Sequence, residues 1–141
     1  MATLKSLFPE EMMEDKGTNL TLEIIAGKLS YFYEELHLLH FQTKSYAEHQ
    51  ALGMIYDKVG DFQDEIIEKI MGYTGKRVRA YKIDALKDYS PGMPNQVVKE
   101  LGSFAEDLEE FGEENNMPDI ENIAQSLSGE ASQTLYRLSL S

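Results

Sequence analysis

The sequence predicts an all-α fold, a four-helix bundle with a short extra helix between its second and third helices. Four stretches of the 141-residue chain repeat apolar residues every three or four positions, the spacing of one helix face. No stretch alternates apolar and polar residues between turn signals, as half-buried strands do. The links between these stretches are short except for one, and short links favour antiparallel neighbours in a bundle.

The first two helices have the clearest patterns. We predict the first over residues 19–40 and the second over residues 46–71, with Ser45 capping the second helix and Gly72 and Gly75 ending it. Each apolar seam marks the face that we expect to lie in the core. The seams are Leu22, Ile25, Leu29, Phe32, Leu36 and Leu39 in the first helix, and Leu52, Ile55, Val59, Phe62, Ile66 and Ile70 in the second.

The third and fourth helices each begin near a proline. Proline suits the first turn of a helix, because the N–H group that it lacks would have no helical partner there. We place the third helix between Pro94 and Asn115, and the start of the fourth near Pro118. Gly129 lies within the fourth pattern as a potential break, which leaves the end of that helix open.

The link between the second and third helices is too long for a plain turn. It covers residues 72–93, and we expect it to hold a short helix around residues 84–89. Residues 1–18 lack a helical pattern and read as a loosely attached arm. We therefore divide the chain into an N-terminal arm, residues 1–18, and a bundle domain, residues 19–141.

The composition excludes several classes of protein. The chain has no cysteine, which excludes a disulfide scaffold, a zinc finger and a thiol nucleophile. A formal net charge of −12 opposes binding to nucleic acid, because the phosphate backbone is also negative. No apolar run approaches the roughly 20 residues of a membrane helix, and the N-terminus lacks the features of a signal peptide. We therefore expect a cytoplasmic protein with neither membrane nor nucleic acid as a partner.

The charge is distributed unevenly along the chain. Residues 100–136 include ten acidic residues and no lysine or arginine. The link before the third helix carries instead a basic cluster that we expect to neutralise a neighbouring acidic surface, with an anion site and a nucleic-acid patch as the alternatives. The cluster consists of Lys76, Arg77, Arg79 and Lys82.

All three histidines lie within thirteen residues, where the first helix gives way to the second. Imidazole is the commonest metal ligand in proteins. At about 100° per residue, His40 points close to the centre of the first seam and His37 lies at its edge. His40 and His49 would share a site only if the chain turns between them, for which residues 42–45 are suitable. A metal site and a purely structural role are the two interpretations.

Four carboxylates share the face of the second helix that lies opposite its seam: Asp57, Asp61, Asp64 and Glu68. Such a face is usually solvated. Asp64 and Glu68 follow His49 by 15 and 19 residues, roughly 22 and 28 Å along a helix. Two copies of the helix, packed antiparallel about a twofold axis, would bring His49 of one chain to the carboxylates of the other. A mixed set of nitrogen and oxygen ligands suits iron, manganese or zinc.

The segment that carries these residues, LHLLHFQTKSYAEHQALGMIYDKVGDFQDEIIEKIMG at positions 36–72, resembles the Dps-like branch of the ferritin-like proteins. His40 with the aromatic residue after it, His49, and the pair Asp64 and Glu68 are similar to that family's ligand positions. The resemblance implies a ferritin-like bundle, ferroxidase sites at a dimer interface, and assembly into at least a dimer or a larger shell. The segment is also similar to an uncharacterised ferritin-like family of tailed phages, which implies the host cytoplasm.

Two features depart from the Dps-like pattern. Gly53 stands where the family has an aspartate, so one carboxylate ligand is missing. The family spaces its two histidines twelve residues apart, which His37 satisfies, whereas His40 keeps the aromatic neighbour and the inward direction. The predicted metal ligands are His40, His49, Asp64 and Glu68, with His37, Asp57 and Asp61 as further candidates.

These residues indicate a protein that binds iron. Its activity would be that of a ferroxidase, which oxidises Fe(II) with peroxide or dioxygen, and its further role would be iron storage. Zinc and manganese are the alternative metals. The rival hypothesis is a metal-free oligomeric protein with a structural or interaction role, for example one associated with a phage. The absence of a carboxylate at Gly53 favours this rival, and the offset between His49 and the carboxylates opposes it.

Overall fold

The computed structural model describes residues 18–140, and within that range the chain forms four α-helices and no strand. The all-α class and the number of long helices are therefore confirmed. The arm predicted for residues 1–18 lies outside the described residues except for Thr18. The helices are α1 (Leu22–Gln42), α2 (Tyr46–Thr74), α3 (Met93–Glu114) and α4 (Pro118–Leu138).

Side-chain caps begin α1 and α2, and a glycine ends α2. The hydroxyls of Thr21 and Ser45 each accept a backbone N–H from the first turn of the helix that follows, both at 3.2 Å. At the end of α2, Gly75 has a φ of 71°, a left-handed conformation that favours glycine. The cap predicted at Ser45 is confirmed, whereas Gly72 lies within α2, which continues to Thr74.

The helices α3 and α4 begin near prolines, as predicted. Pro94 and Pro118 both lie in first turns, where a missing N–H group costs nothing. Asn115 ends α3, and Asn116 turns the chain with a φ of 57°. Gly129 does not break α4, because a single glycine costs a helix only about 1 kcal/mol relative to alanine.

One hydrophobic core joins the four helices. The pairs α1–α2, α3–α4 and α2–α4 pack along their lengths, whereas α1 and α3 approach each other at few points. None of the described helices is long and apolar enough to cross a membrane. The largest fully buried side chains come from the four predicted patterns, and each contributes roughly 1.5–3 kcal/mol on burial. They include Leu29, Leu36, Leu52, Ile66, Leu101 and Leu127.

The long link between α2 and α3, residues 75–92, is an extended strap rather than a helix. The prediction of a short extra helix around residues 84–89 is therefore wrong. Three backbone N–H groups that a helix would pair internally instead donate to side chains of α1. These bonds join Arg79 to Glu23 (2.9 Å), Lys87 to Glu35 (2.8 Å) and Tyr89 to Gln42 (2.7 Å).

The strap runs alongside α1 in the same direction: later residues of the strap contact later residues of α1. It thereby returns the chain to the end of the molecule where α2 begins, and α3 runs antiparallel to α1. The approach is closest at Gly27, where a Cβ atom would collide with the carbonyl oxygen of Lys82. Beside the strap, α1 and α3 leave an open cleft of about 880 Å³, bordered by Lys28, Tyr31 and Lys99 among others.

Candidate metal centre

His40 and His49, here called the histidine pair, lie face to face at the junction of α1 and α2. Their ring centroids are 3.8 Å apart, and the ring planes differ by 17°. The Nδ1 atom of His40 is 2.7 Å from the carbonyl oxygen of His49, and the Nδ1 atom of His49 is 2.9 Å from the carbonyl oxygen of His40. Because a carbonyl oxygen can only accept, both Nδ1 atoms carry the proton. In the neutral rings each Nε2 atom keeps a free lone pair, the form in which imidazole binds metals.

The short link between the helices explains why the rings meet. Residues 43–45 reverse the chain, and the hydroxyl of Thr43 accepts the N–H of Ser45 at 3.1 Å and donates to Glu48 at 2.6 Å. Glu48 also accepts the hydroxyl of Tyr89 from the strap at 2.9 Å, and this hydrogen bond raises the pKa of Tyr89. These contacts hold the start of α2 against the end of α1.

Gly53 provides the space that the ring of His40 occupies. A Cβ atom on Gly53 would lie 2.9 Å from Cε1 and 3.2 Å from Nδ1 of His40, which is closer than carbon atoms pack. The aspartate of the Dps-like pattern would therefore displace this ring. The sequence alone did not reveal that Gly53 and the ring of His40 share this space.

His37 lies next to the histidine pair but contacts aromatic rings instead of backbone carbonyls. Its ring stacks on Tyr56 with centroids 4.1 Å apart and planes 10° apart, and it lies 4.4 Å from Phe41. The distance between the ring centroids of His37 and His40 is 6.2 Å. Of the two candidates for the first histidine, the structure thus brings His40 to His49.

The structure does not bring the carboxylates to the histidine pair within one chain. Asp57, Asp61, Asp64 and Glu68 are all exposed on α2, on the face that points away from the core. Since α2 is a single helix, Asp64 and Glu68 lie roughly 22 and 28 Å along its axis from His49. Between residues 18 and 140, no three or more His, Cys, Asp or Glu side chains are grouped closely enough to hold a metal ion.

Glu35 is a buried carboxyl group that the sequence analysis did not single out. Its side chain is fully buried; Oε1 accepts the N–H of Lys87, and Oε2 has no partner in the described part of the chain. Burial raises the pKa of Glu35, while the hydrogen bond and the charge of Lys87 act in the opposite direction. Its spacing was a usable signal, because Glu35 follows Phe32 by three positions and precedes Leu39 by four, as a core residue would.

Comparison with known proteins identifies a family but no function. A protein-family model described as "Family of unknown function (DUF5856)" matches residues 40–138, a range that begins at His40. The "Uncharacterized 14.6 kDa protein in mobD-ri intergenic region" of Enterobacteria phage T4 is 29% identical over 119 residues, 84% of this chain and 85% of the relative. No solved structure matches the chain. These matches support the similarity to a phage-encoded family, and neither is to a ferritin-like or Dps family.

Proposed function

The chain belongs to DUF5856, a family of unknown function, and we propose that it binds divalent iron at sites that two copies build together. The observation that carries the proposal is the histidine pair, whose Nδ1–H groups donate to backbone carbonyls, which leaves the Nε2 lone pair of each ring as the atom that could bind a metal. A hydrogen bond on the second nitrogen is the usual way in which proteins orient a metal-binding imidazole. The proposal includes a ferritin-like arrangement of the four helices, in which one long crossover joins the second helix to the third.

The donor types present fit iron, although one chain supplies only part of a site. Two imidazoles leave most coordination positions of Fe(II) open, and carboxylates are the partners that iron commonly takes beside histidine. The exposed carboxylates of Asp64 and Glu68 face away from their own core, where a second α2 could lie against them. Antiparallel packing of two α2 helices about a twofold axis would place these carboxylates at the histidine pair of the partner chain.

The stacking of the rings favours one cation on each histidine rather than one cation shared by both. The lone pair of Nε2 lies in the plane of its ring, and the planes are nearly parallel at a centroid distance of 3.8 Å. A single ion at the usual metal–nitrogen distance of about 2.1 Å would lie outside at least one plane. Two ions, one in the plane of each ring, would satisfy both lone pairs.

Iron bound in this way would be the substrate of a ferroxidase reaction. Two Fe(II) ions supply the two electrons that reduce one molecule of hydrogen peroxide, with two protons, to two molecules of water. In this scheme the histidine pair binds and orients the ions, and the hard carboxylates of Asp64 and Glu68 hold the Fe(III) product. Zinc or manganese bound by the same residues would give a site without this reaction.

A metal-free structural role has its own supporting observation. The reciprocal hydrogen bonds of the histidine pair join the last turn of α1 to the first turn of α2, so the two rings stabilise this junction without any bound ion. Gly53 supplies no carboxylate beside them. In this second candidate function, the exposed face of α2 would form a contact between subunits and nothing else.

An anaerobic titration of the full-length, metal-free chain with Fe(II) distinguishes the two functions. The proposal predicts saturation near two ions per chain, loss of binding in His49→Ala, and retention in His37→Ala, whose ring lies outside the pair. Circular dichroism of each variant checks that its helices are intact. Binding that is unchanged in His49→Ala, or absent in the unmodified chain, would leave the structural role as the better explanation.

Mixing two inactive variants tests whether the site is shared between chains. His49→Ala removes a ligand from one half of the site, and Asp64→Ala removes one from the other half. In a mixed twofold dimer one site carries both changes and the other carries neither, so the mixture is expected to regain iron binding. If the mixture stays as inactive as its components, the ligands do not come from two chains in this arrangement.

A further inference from the structure

The strap presents a row of cations whose side chains form no salt bridge with any acidic side chain of the described residues. Residues 76–82, here called the basic segment, contain four basic residues and no acidic one, and all four basic side chains are exposed. The backbone of the segment is held against α1 by the bond from Arg79 to Glu23 and by the contact of 3.3 Å between the hydroxyls of Tyr81 and Ser30. Its lysine and arginine side chains therefore extend from an anchored, extended backbone.

The opposite charge is concentrated where α3 turns into α4. Residues 106–121, here called the acidic end, contain eight acidic residues and no lysine, arginine or histidine. The pKa of Glu110 is raised, first by desolvation and then by the neighbouring carboxylates of Glu114, Asp107 and Glu113. Like charges one turn apart on a helix repel one another, and among residues 18–140 no lysine or arginine forms a salt bridge with the acidic end.

The two surfaces do not neutralise each other within the chain. In the part of the chain that the structure describes, the salt bridge present joins Lys58 and Glu130 at 3.0 Å, and it involves neither surface. An exposed basic row and an exposed acidic patch on one molecule can meet when two molecules associate. Complementary potentials of this kind speed association and fix its register.

We propose that the basic segment of one copy of this chain docks onto the acidic end of another copy. The partner is a second copy of the chain because its acidic end offers eight carboxylates to the four cations of the basic segment. Nucleic acid is a poorer partner because the net charge of −12 repels it. The contact joins two different surfaces, so it builds a ring or a larger assembly when it repeats from copy to copy, and a dimer when two copies make it reciprocally about a twofold axis. It is separate from the twofold contact at α2 and does not depend on iron binding.

Salt dependence distinguishes this contact from others that the chain could make. Repulsion between copies of an acidic protein weakens as salt is added, so association through an apolar surface would increase. The proposed contact is attractive and would be lost over the same range. Sedimentation velocity of the full chain at about 0.1 M and at about 1 M sodium chloride measures whether the assembly grows or dissociates. Over this range the Debye length falls from about 10 to about 3 Å.

Charge reversal tests the two surfaces directly. Arg77→Glu with Arg79→Glu reverses part of the basic segment, and Glu110→Lys with Glu113→Lys reverses part of the acidic end. Each double variant alone is expected to weaken association about tenfold or more, because like charges then face each other. Mixed in equal amounts, the two variants present opposite charges to each other again, and assembly is expected to return.

The matched control reverses two exposed lysines outside both surfaces, Lys44→Glu with Lys99→Glu, for the same change in net charge. This variant is expected to assemble like the unmodified chain. The proposal is overturned if the basic-segment variant assembles normally, if the mixture does not recover, or if assembly is unaffected by salt. It is equally overturned if the basic segment instead binds a fluorescent single-stranded oligonucleotide while the size of the protein stays constant.

Discussion

The ring of His40 occupies the volume into which a side chain on Gly53 would project, with Cε1 only 2.9 Å from the position of a Cβ atom. This relationship links the end of α1 to the second turn of α2. An aspartate at position 53, such as the Dps-like resemblance leads one to expect, would meet this ring. A ligand at position 53 and a ring of His40 in its present place exclude each other.

Replacing Gly53 by alanine is therefore expected to disrupt the histidine pair. In a helix interior, alanine is normally favoured over glycine by about 1 kcal/mol. At position 53 the added methyl group must push the ring of His40 away, so we expect no net stabilisation and loss of the bond from His40 Nδ1. Urea unfolding measures the first effect, and NMR of the imidazole nitrogens measures the second.

Gly129→Ala is the matched control, because a Cβ atom there meets nothing within 4 Å. We expect this variant to stabilise the chain by about 0.5–1 kcal/mol and to leave the histidine signals unchanged. An equal increase in the free energy of unfolding in Gly53→Ala and Gly129→Ala, with the His40 signal unaffected, would show that the contact between His40 and Gly53 does not constrain the ring.

The tautomers of the histidine pair provide a second prediction. Long-range ¹H–¹⁵N spectra at alkaline pH are expected to show the proton of both neutral rings on Nδ1. His49→Ala keeps the backbone carbonyl of residue 49, so His40 should remain in the same tautomer. The free energy of unfolding should fall by about 1 kcal/mol, because one hydrogen bond is lost. A proton on Nε2 of His40 in the unmodified chain would contradict the hydrogen bond and, with it, the free lone pair on which metal binding depends.

Much of the fold could be predicted from the sequence because its determinants are local. Apolar residues three or four positions apart, together with Ser45, Pro94 and Pro118, are sufficient to place four helices. The strap could not be predicted in this way. Its N–H groups pair with Glu23 and Gln42, which lie tens of residues earlier in the chain, and no local pattern contains that information.

In the candidate site, too, the features set by local sequence could be predicted, and those set by the three-dimensional fold could not. The meeting of His40 and His49 could be predicted, because a turn of three residues leaves little choice in how α1 and α2 approach. The reason for Gly53 could not, since it depends on the orientation of one ring in three dimensions. Whether Asp64 and Glu68 join the site depends on a second chain, and it stays a prediction.

Replacing Gly27 by alanine is expected to loosen the strap without unfolding the helices. The new methyl group would collide with the carbonyl oxygen of Lys82, so the strap must move away from α1. The amide protons of Arg79, Lys87 and Tyr89, whose acceptors lie on α1, should then exchange faster. Hydrogen exchange followed by mass spectrometry or NMR measures this change segment by segment.

Gly129→Ala again provides the comparison, since it adds the same methyl group to a helix at an open position. Exchange in the strap should be unaffected by that change. Uniformly faster exchange in all four helices of Gly27→Ala would contradict the prediction, because it would mean that the strap and the core unfold together rather than separately.

The buried carboxyl group of Glu35 should make the stability of the chain depend on pH. Because burial raises the pKa of Glu35, the folded chain holds more protons than the unfolded chain between the usual carboxyl pKa and the raised one. The free energy of unfolding must then fall as pH rises through that interval, by about 1.4 kcal/mol for each unit of difference in pKa. Lys87 moderates this effect and the carboxylates of Asp88 and Glu100 strengthen it.

Glu35→Gln tests this dependence, because a glutamine keeps an acceptor for the N–H of Lys87 and does not ionise. The variant is expected to lose stability less steeply than the unmodified chain as pH rises from about 4 to about 8, measured by urea unfolding at each pH. Glu34→Gln, a change at an exposed neighbouring position, should leave the slope unaltered. Parallel stability curves for the unmodified chain and Glu35→Gln would mean that Glu35 ionises in the folded chain as readily as in the unfolded one, with water or a cation at its unpaired oxygen.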